Sequence, residues 1–296
     1  MPHLHHAPSG ISQSMFLELI LVFTAVAYLR GWLSPRSSRV ERISAWRAVS
    51  FLVGLFLIWA AVASPFSALD HELLTVHMLQ HLLLMTLAPP LIWVGAPAGP
   101  VFHGLPRFVR SRFIPSCQSR AVKTFAEALA RPQVAWLAAC AALVGWHIPI
   151  FFALPMQSAM WHLIEQLSFL ATGLLFWWPV VRPSAGESQH DLSMILYLFF
   201  AILPCDILSG FLVFSDRVVY PMYFSSSHLL GFSPLVDQQC AAALMWTSVT
   251  VVYLVAGAIL TMRILSPKGT SQVAFAQSKW SSAAVPRRVS QSLEVL

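Results

Sequence analysis

The chain has 296 residues, 57% of them hydrophobic and only 10% charged, with a mean hydropathy of +0.69. A soluble domain carries roughly a quarter charged residues, so there are too few polar groups here to cover a water-facing surface. That speaks against a water-soluble globular enzyme. The net charge of +6 and pI near 9.5 would suit nucleic acid only if the basic residues formed one patch, and their placement shows otherwise.

Seven apolar segments follow in chain order: Ser14–Leu29, Ala45–Ser64, Leu73–Val94, Gln133–Ala153, Ser158–Val181, Leu192–Phe214 and Cys240–Ile264. Each is long enough for a membrane-crossing helix, which satisfies its backbone groups internally in lipid. The fold class expected is therefore all-α: a polytopic integral membrane protein with seven transmembrane helices. The first segment lacks a basic stretch before it and reads as a retained anchor. Three regions result. Residues 1–13 are a His-containing extracytoplasmic N-terminus, 14–265 the seven-helix membrane domain, and 266–296 a Ser- and Ala-rich cytoplasmic tail expected to be disordered. No internal repeat is visible.

Seventeen of the eighteen Lys and Arg residues fall between helices 1 and 2, between helices 3 and 4, between helices 5 and 6, or after helix 7, with Arg47 and Arg263 at the adjoining helix ends counted there; Arg217 alone falls on the other side. By the positive-inside rule the N-terminus lies outside and the C-terminus in the cytoplasm. The basic excess is thus a topology signal, and no nucleic-acid partner is expected. The basic stretch Val101–Arg131, with Phe102, Phe108, Phe113 and Phe125 interspersed, is expected to lie on the anionic inner leaflet as short amphipathic helices. Trp177 and Trp178 read as interface anchors. Cys117, Cys140, Cys205 and Cys240 form no C-x-x-C pair, which leaves zinc ribbons, redox dithiols and c-type haem attachment unsupported. Cys140 sits in an apolar run and reads as a small hydrophobe.

Ionisable residues inside spans are costly and mark function by default. On helix 3, His77 and His81 are four residues apart and share a face, and Met85 continues that stripe. Helix 4 reaches His147 near its outer end, and helix 5 begins with Met160, His162 and Glu165. Asp206 lies in the outer half of helix 6, and Asp237 opens helix 7. The topology brings His77, His81, His147 and His162 to one outer depth, although depth alone does not show that they converge laterally. Imidazole suits copper, zinc and iron, while thioether and thiol favour Cu(I). Met78, Met160 and Cys205 are the soft donors nearby. A hard-ion site is disfavoured, because few carboxylates converge. The same histidines also suit helix-to-helix hydrogen bonding, and both readings stand at this level. His3, His5 and His6 face the outside and are a compositional hint of metal capture. Phosphate-loop, dinucleotide, zinc-protease and nucleophile-elbow motifs are absent, and Pro89–Pro90 is expected to break helix 3 near its cytoplasmic end.

The run His77-Met78-Leu79-Gln80-His81-Leu82-Leu83-Leu84, followed by Ala88-Pro89-Pro90-Leu91 and Gly95-Ala96-Pro97, resembles the polytopic CtaG family of cytochrome c oxidase assembly factors. Arg131-Pro132, Trp146-His147-Ile148-Pro149, Trp161-His162 with Glu165, Trp177-Trp178-Pro179-Val180, Tyr220-Pro221 and Asp237-Gln238-Gln239 extend the likeness over about residues 15–265. The resemblance implies a multi-pass protein of the bacterial inner membrane, not an enzyme, that helps assemble haem–copper oxidase. Its partners would be oxidase subunits within the lipid bilayer, and a copper link is implied.

Joined to the residue reading, this gives a carrier that holds Cu(I) at the periplasmic face. His77 and His81 would be core ligands, with His147 and His162 supplementary. Met78, Met160 and Cys205 would be soft ligands, and Glu165, Asp206 and Asp237 neighbours that orient imidazoles. The alternatives are a haem-binding membrane redox protein with two axial histidines, or a metal-free scaffold whose outer loop, Ser215–Val236, docks an oxidase subunit.

Overall fold

The computed structural model describes residues 7–34, 43–111, 119–181, 188–224, 231 and 233–265. His3, His5 and His6, Cys117 and Phe113, the tail from 266 and part of the outer loop (225–230 and 232) lie outside the described residues. Among the described residues the regular structure is entirely helical. In chain order it runs α1 (Ala7–Trp32), α2 (Ala45–Val62), α3 (Leu74–Val94), α4 (Ala98–Gly104), α5 (Arg120–Leu129), α6 (Pro132–His147), α7 (Pro149–Gln157), α8 (Ala159–Val181), α9 (Ser188–Val213) and α10 (Pro234–Leu265). Six of these helices are long and apolar enough to cross a bilayer, and a seventh crossing results if the bent pair α5 and α6 is one span. The 23 residues of α8 rise about 34 Å, enough for a hydrocarbon core of about 30 Å.

The bundle is apolar on its outside as well as through most of its core. On α9, Leu196, Phe199, Phe200, Leu203, Ile207 and Phe211 form an exposed apolar stripe, while Cys205 and Ser209 lie on the buried side. His77, Gln80, His81, Glu165, Gln166, Asp237 and Gln238 are all buried. Lipid tolerates the first pattern and demands the second, because a polar group facing hydrocarbon has no partner.

The fourth expected segment, Gln133–Ala153, is divided. α6 ends at His147, Ile148 is extended (φ −67°, ψ 126°), and α7 begins at Pro149. A residue before proline is pushed out of the helical region by the pyrrolidine ring, so the break is written in Ile148–Pro149. At its other end α6 bends 67° from α5. α5 carries Arg120, Lys123, Thr124 and Glu127 on one side and Val122, Phe125 and Leu129 on the other, a short amphipathic helix where the basic stretch implied one. The last span is longer than expected, starting at Pro234.

Pro89–Pro90 does not break α3. Leu82–Leu87 takes up the strain as a π-helical turn, and the helix resumes at Ala88–Val94. Proline removes an N–H and collides with the carbonyl four residues earlier. Widening one turn frees that carbonyl, and at Met85 it accepts the Trp177 indole N–H at 3.2 Å. Gly173 lets α8 reach this turn, because a β-carbon there would lie 2.8 Å from the Met85 carbonyl oxygen. Close backbone approach through small residues is the ordinary route to helix packing in membranes.

Candidate metal centre

Four segments meet at one end of the bundle: the start of α3, the last residue of α6, the start of α8 and the start of α10. Their meeting is fixed by polar contacts between elements distant in sequence. The Asp237 carboxylate caps α3, accepting from Leu74 N–H at 2.7 Å, Thr75 N–H at 3.2 Å and the Thr75 hydroxyl at 2.6 Å. Gln238 accepts from Val219 N–H at 2.7 Å and donates to the carbonyls of Leu212 and Arg217, which ties the loop after α9 to α10. That loop in turn holds the site. Tyr220 donates to the His147 carbonyl at 3.0 Å, and Tyr223 donates to the Asp70 carbonyl at 2.8 Å. Burial, with Asp70 and other carboxylates nearby, raises the Tyr223 phenol well above its usual value, and burial raises Tyr220 as well. Both therefore remain donors at neutral pH.

Within this frame His77 and His81 are stacked one turn apart on α3, with ring centroids 4.3 Å apart. Glu165 of α8 faces both. Its Oε1 lies 3.6 Å from His77 Nε2 and 3.4 Å from His81 Nε2. All three side chains are essentially buried, and their ligating atoms lie within 4.8 Å of one another. Among the described residues, both ring nitrogens of each histidine and both Glu165 oxygens lack a hydrogen-bond partner. Orphaned buried polar atoms are rare and expensive. Two ligands about 2.0–2.1 Å from a tetrahedral ion stand about 3.4 Å apart, which is the spacing found here. Phe152 and Phe169 wall the cluster, with centroids 5.0 Å from His77 and 4.2 Å from His81.

His147 joins from α6. Its Nδ1 donates to the Leu143 carbonyl at 2.7 Å, since a carbonyl only accepts. In the neutral ring Nε2 then carries a lone pair, and it points at Met78 Sδ, 3.2 Å away. The thioether also has no proton to give, so the two atoms form a donor pair toward a soft cation. The His147 and His81 rings are 5.9 Å apart. Deeper along α3 a cavity of about 40 Å³ is lined by His81, His147, Met78, Met85, Cys205 and Met245, among others. It has room for an ion or a water and is far below the roughly 300 Å³ where organic-ligand pockets begin.

His162 is placed differently. Its ring stacks near His77 with centroids 6.0 Å apart, but its Nε2 lies 3.1 Å from Asp70 Oδ2. Asp70, His71 and His162 form a second cluster with ligating atoms within 4.8 Å. Each imidazole cluster contains a single carboxylate, Asp70 in one and Glu165 in the other. Glu165 stands directly among the imidazoles, within 3.4–3.6 Å of both His77 and His81. Asp237 spends both oxygens on the end of α3 and orients no imidazole there. Asp206 hydrogen-bonds with the Trp246 side chain. Met160 is exposed, pointing away from the buried donors. Cys205 is buried beside Ser209 (Sγ–Oγ 3.8 Å) and reaches the cavity. Asp70 and His71 were missed because they precede the span. The signal was nevertheless present, as Asp70-His71 lies about two turns before His77 at the same end of the bundle.

A helical bundle with an apolar exterior and a buried imidazole–carboxylate cluster at one end defines a multi-pass membrane protein. Residues 26–266 match the cytochrome c oxidase caa3 assembly factor family (Caa3_CtaG), and the chain belongs to it. It is also similar to uncharacterized proteins of Mycobacterium bovis and Mycobacterium tuberculosis, each 23% identical over 239 residues, covering 76% of this chain and 35% of theirs. The chain thus spans about a third of the length of the curated relatives it matches. No solved structure matches it.

Proposed function

We propose that this assembly factor carries copper as cargo at the periplasmic face of the bacterial inner membrane and passes it to a cytochrome c oxidase subunit, without catalysing a reaction. The observation that carries this reading is the set of orphaned, buried donor atoms of His77, His81 and Glu165 at ligand spacing. Copper is favoured over harder ions by the His147–Met78 pair and by the thioethers and thiol around the adjoining cavity. The small cavity favours an ion over a porphyrin. The reading takes residues 14–265 as the membrane domain, with seven crossings and the N-terminus outside. The distribution of Lys and Arg supports that orientation, and it puts the cluster on the periplasmic side.

The test is to express the full chain in copper-supplemented cells, purify it in detergent, and measure copper and haem per chain for the wild type and for His77→Ala/His81→Ala. The variant is expected to hold one copper fewer per chain than the wild type. An unchanged copper content in the variant overturns the ligand assignment. Bound haem with a Soret band establishes the redox reading instead, and oxidase assembly that survives in the variant supports a metal-free scaffold.

A further inference from the structure

Asp70 is almost fully buried just outside the α3 span, and both of its carboxylate oxygens lack a hydrogen-bond partner. Two imidazoles approach those oxygens from different segments. His162 Nε2 of α8 lies 3.1 Å from Oδ2, and His71 Nε2 of the turn before α3 lies 3.7 Å from Oδ1. The turn is held from both sides: Tyr223 donates to the Asp70 carbonyl at 2.8 Å and Gln80 to the Ser67 carbonyl at 3.3 Å. A buried carboxylate costs free energy unless it is paired or coordinates a metal. One carboxylate and two imidazoles form a donor set for a transition ion. The side chains also grade in exposure, from His71 at 50% through His162 at 15% to Asp70 at 2% and His77 at 0%. His162 stands between the clusters, its ring 5.6 Å from that of His71 and 6.0 Å from that of His77.

We propose that Asp70, His71 and His162 form a second metal site, an entry station for a transition ion, which passes by ligand exchange and without change of oxidation state to His77, His81 and Glu165. The destination rests on the reading above, whereas the outer site stands on its own donors. His71 reaches solvent and captures the ion, Asp70 supplies the charge, and His162 is the donor nearest the inner cluster.

Zn²⁺ is the probe, since it has no redox chemistry. The full chain in detergent is equilibrated with Zn²⁺ and the bound ions are counted. The wild type should hold two. Asp70→Asn/His71→Ala should hold one, and Glu165→Gln/His77→Ala should hold the other one. His71→Ala alone alters an exposed side chain and spares the fold. It should weaken one of the two binding steps by about tenfold or more and slow loading of the other. Unchanged stoichiometry and affinity in both outer variants overturns the entry station and leaves the inner site standing. Loss confined to the outer variants, with the inner variant still binding two ions, overturns the inner site and leaves the outer one.

Discussion

Asp237 accepts the Leu74 backbone N–H at 2.7 Å across 163 positions of sequence. α3 has no local cap, since Leu73 occupies the capping position and has no side-chain acceptor. The carboxylate that satisfies its first donors comes from α10. It also places a negative charge at the positive end of the helix dipole. The helix that carries His77 and His81 is thus anchored by the helix that closes the bundle.

Replacing this cap should lower stability and leave the metal chemistry intact. Asp237→Ala strands the buried Leu74 N–H and the half-buried Thr75 N–H and should cost about 1–3 kcal/mol, and Asp237→Asn should cost less because its carbonyl still accepts. Thermal unfolding in detergent reads the cost. Metal stoichiometry in Asp237→Asn should stay at the wild-type value, and its loss would mean that Asp237 acts on the imidazoles after all.

Glu165→Gln tests the central cluster without changing its volume. An ion bound only by the folded state stabilises it by about 2.7 kcal/mol at a hundredfold excess over Kd. The wild type should therefore show a metal-dependent rise in Tm, and Glu165→Gln should show a smaller one. An equal rise in both proteins would remove Glu165 from the ligand set.

Met78→Leu separates soft from borderline ions. The swap nearly conserves volume and should cost less than about 1.5 kcal/mol. It removes the sulfur 3.2 Å from His147 Nε2. Cu(I) affinity should fall, with Zn²⁺ affinity unchanged, in parallel titrations. Equal losses for both ions would argue for a packing role.

Tyr220 and Tyr223 give the site a pH signature. Burial raises both phenols above the usual value of 10. The unfolded chain therefore releases these protons first, and the folded state loses stability as pH rises past 10. The loss is about 1.4 kcal/mol per pH unit for each such phenol until its folded value is reached. Below pH 9 their contribution is flat. Tyr223→Phe should flatten the alkaline slope of denaturant unfolding. At pH 7 it should also cost about 1–3 kcal/mol, because the Asp70 carbonyl is left without its donor.

Gly173→Val should damage the site from a distance. A β-carbon at this position meets the Met85 carbonyl oxygen at 2.8 Å. α8 must then shift away from α3, taking Glu165 with it two turns along. A stability loss of about 1–3 kcal/mol and weaker metal binding are expected together, measured by unfolding and by titration. Wild-type affinity in this variant would show that the α3–α8 spacing does not set the donor geometry.

The same contacts change how the outer loop is tested. Tyr220 and Tyr223 hold the His147 and Asp70 backbones, so deleting Ser215–Val236 would dismantle both clusters. A deletion cannot separate a docking loop from a structural one. Substitutions at exposed positions such as Phe224 can.

Composition and period sufficed for much of this architecture. The apolar segments are long because each crossing must span the hydrocarbon, and the rarity of charge makes every buried ionisable residue conspicuous. The i, i+4 spacing alone put His77 and His81 on one face, whereas the division of Gln133–Ala153 at Ile148–Pro149 was not expected. What the sequence could not supply was the lateral coordinate. Helix ends fix depth, but which side chains meet at that depth depends on helix rotation and on close approaches such as Gly173 against Met85. Tertiary packing therefore decided that Glu165 stands among the imidazoles, that His162 pairs with Asp70, and that Asp237 caps a helix. A local pattern specifies a face, and only the packed neighbours determine what that face touches.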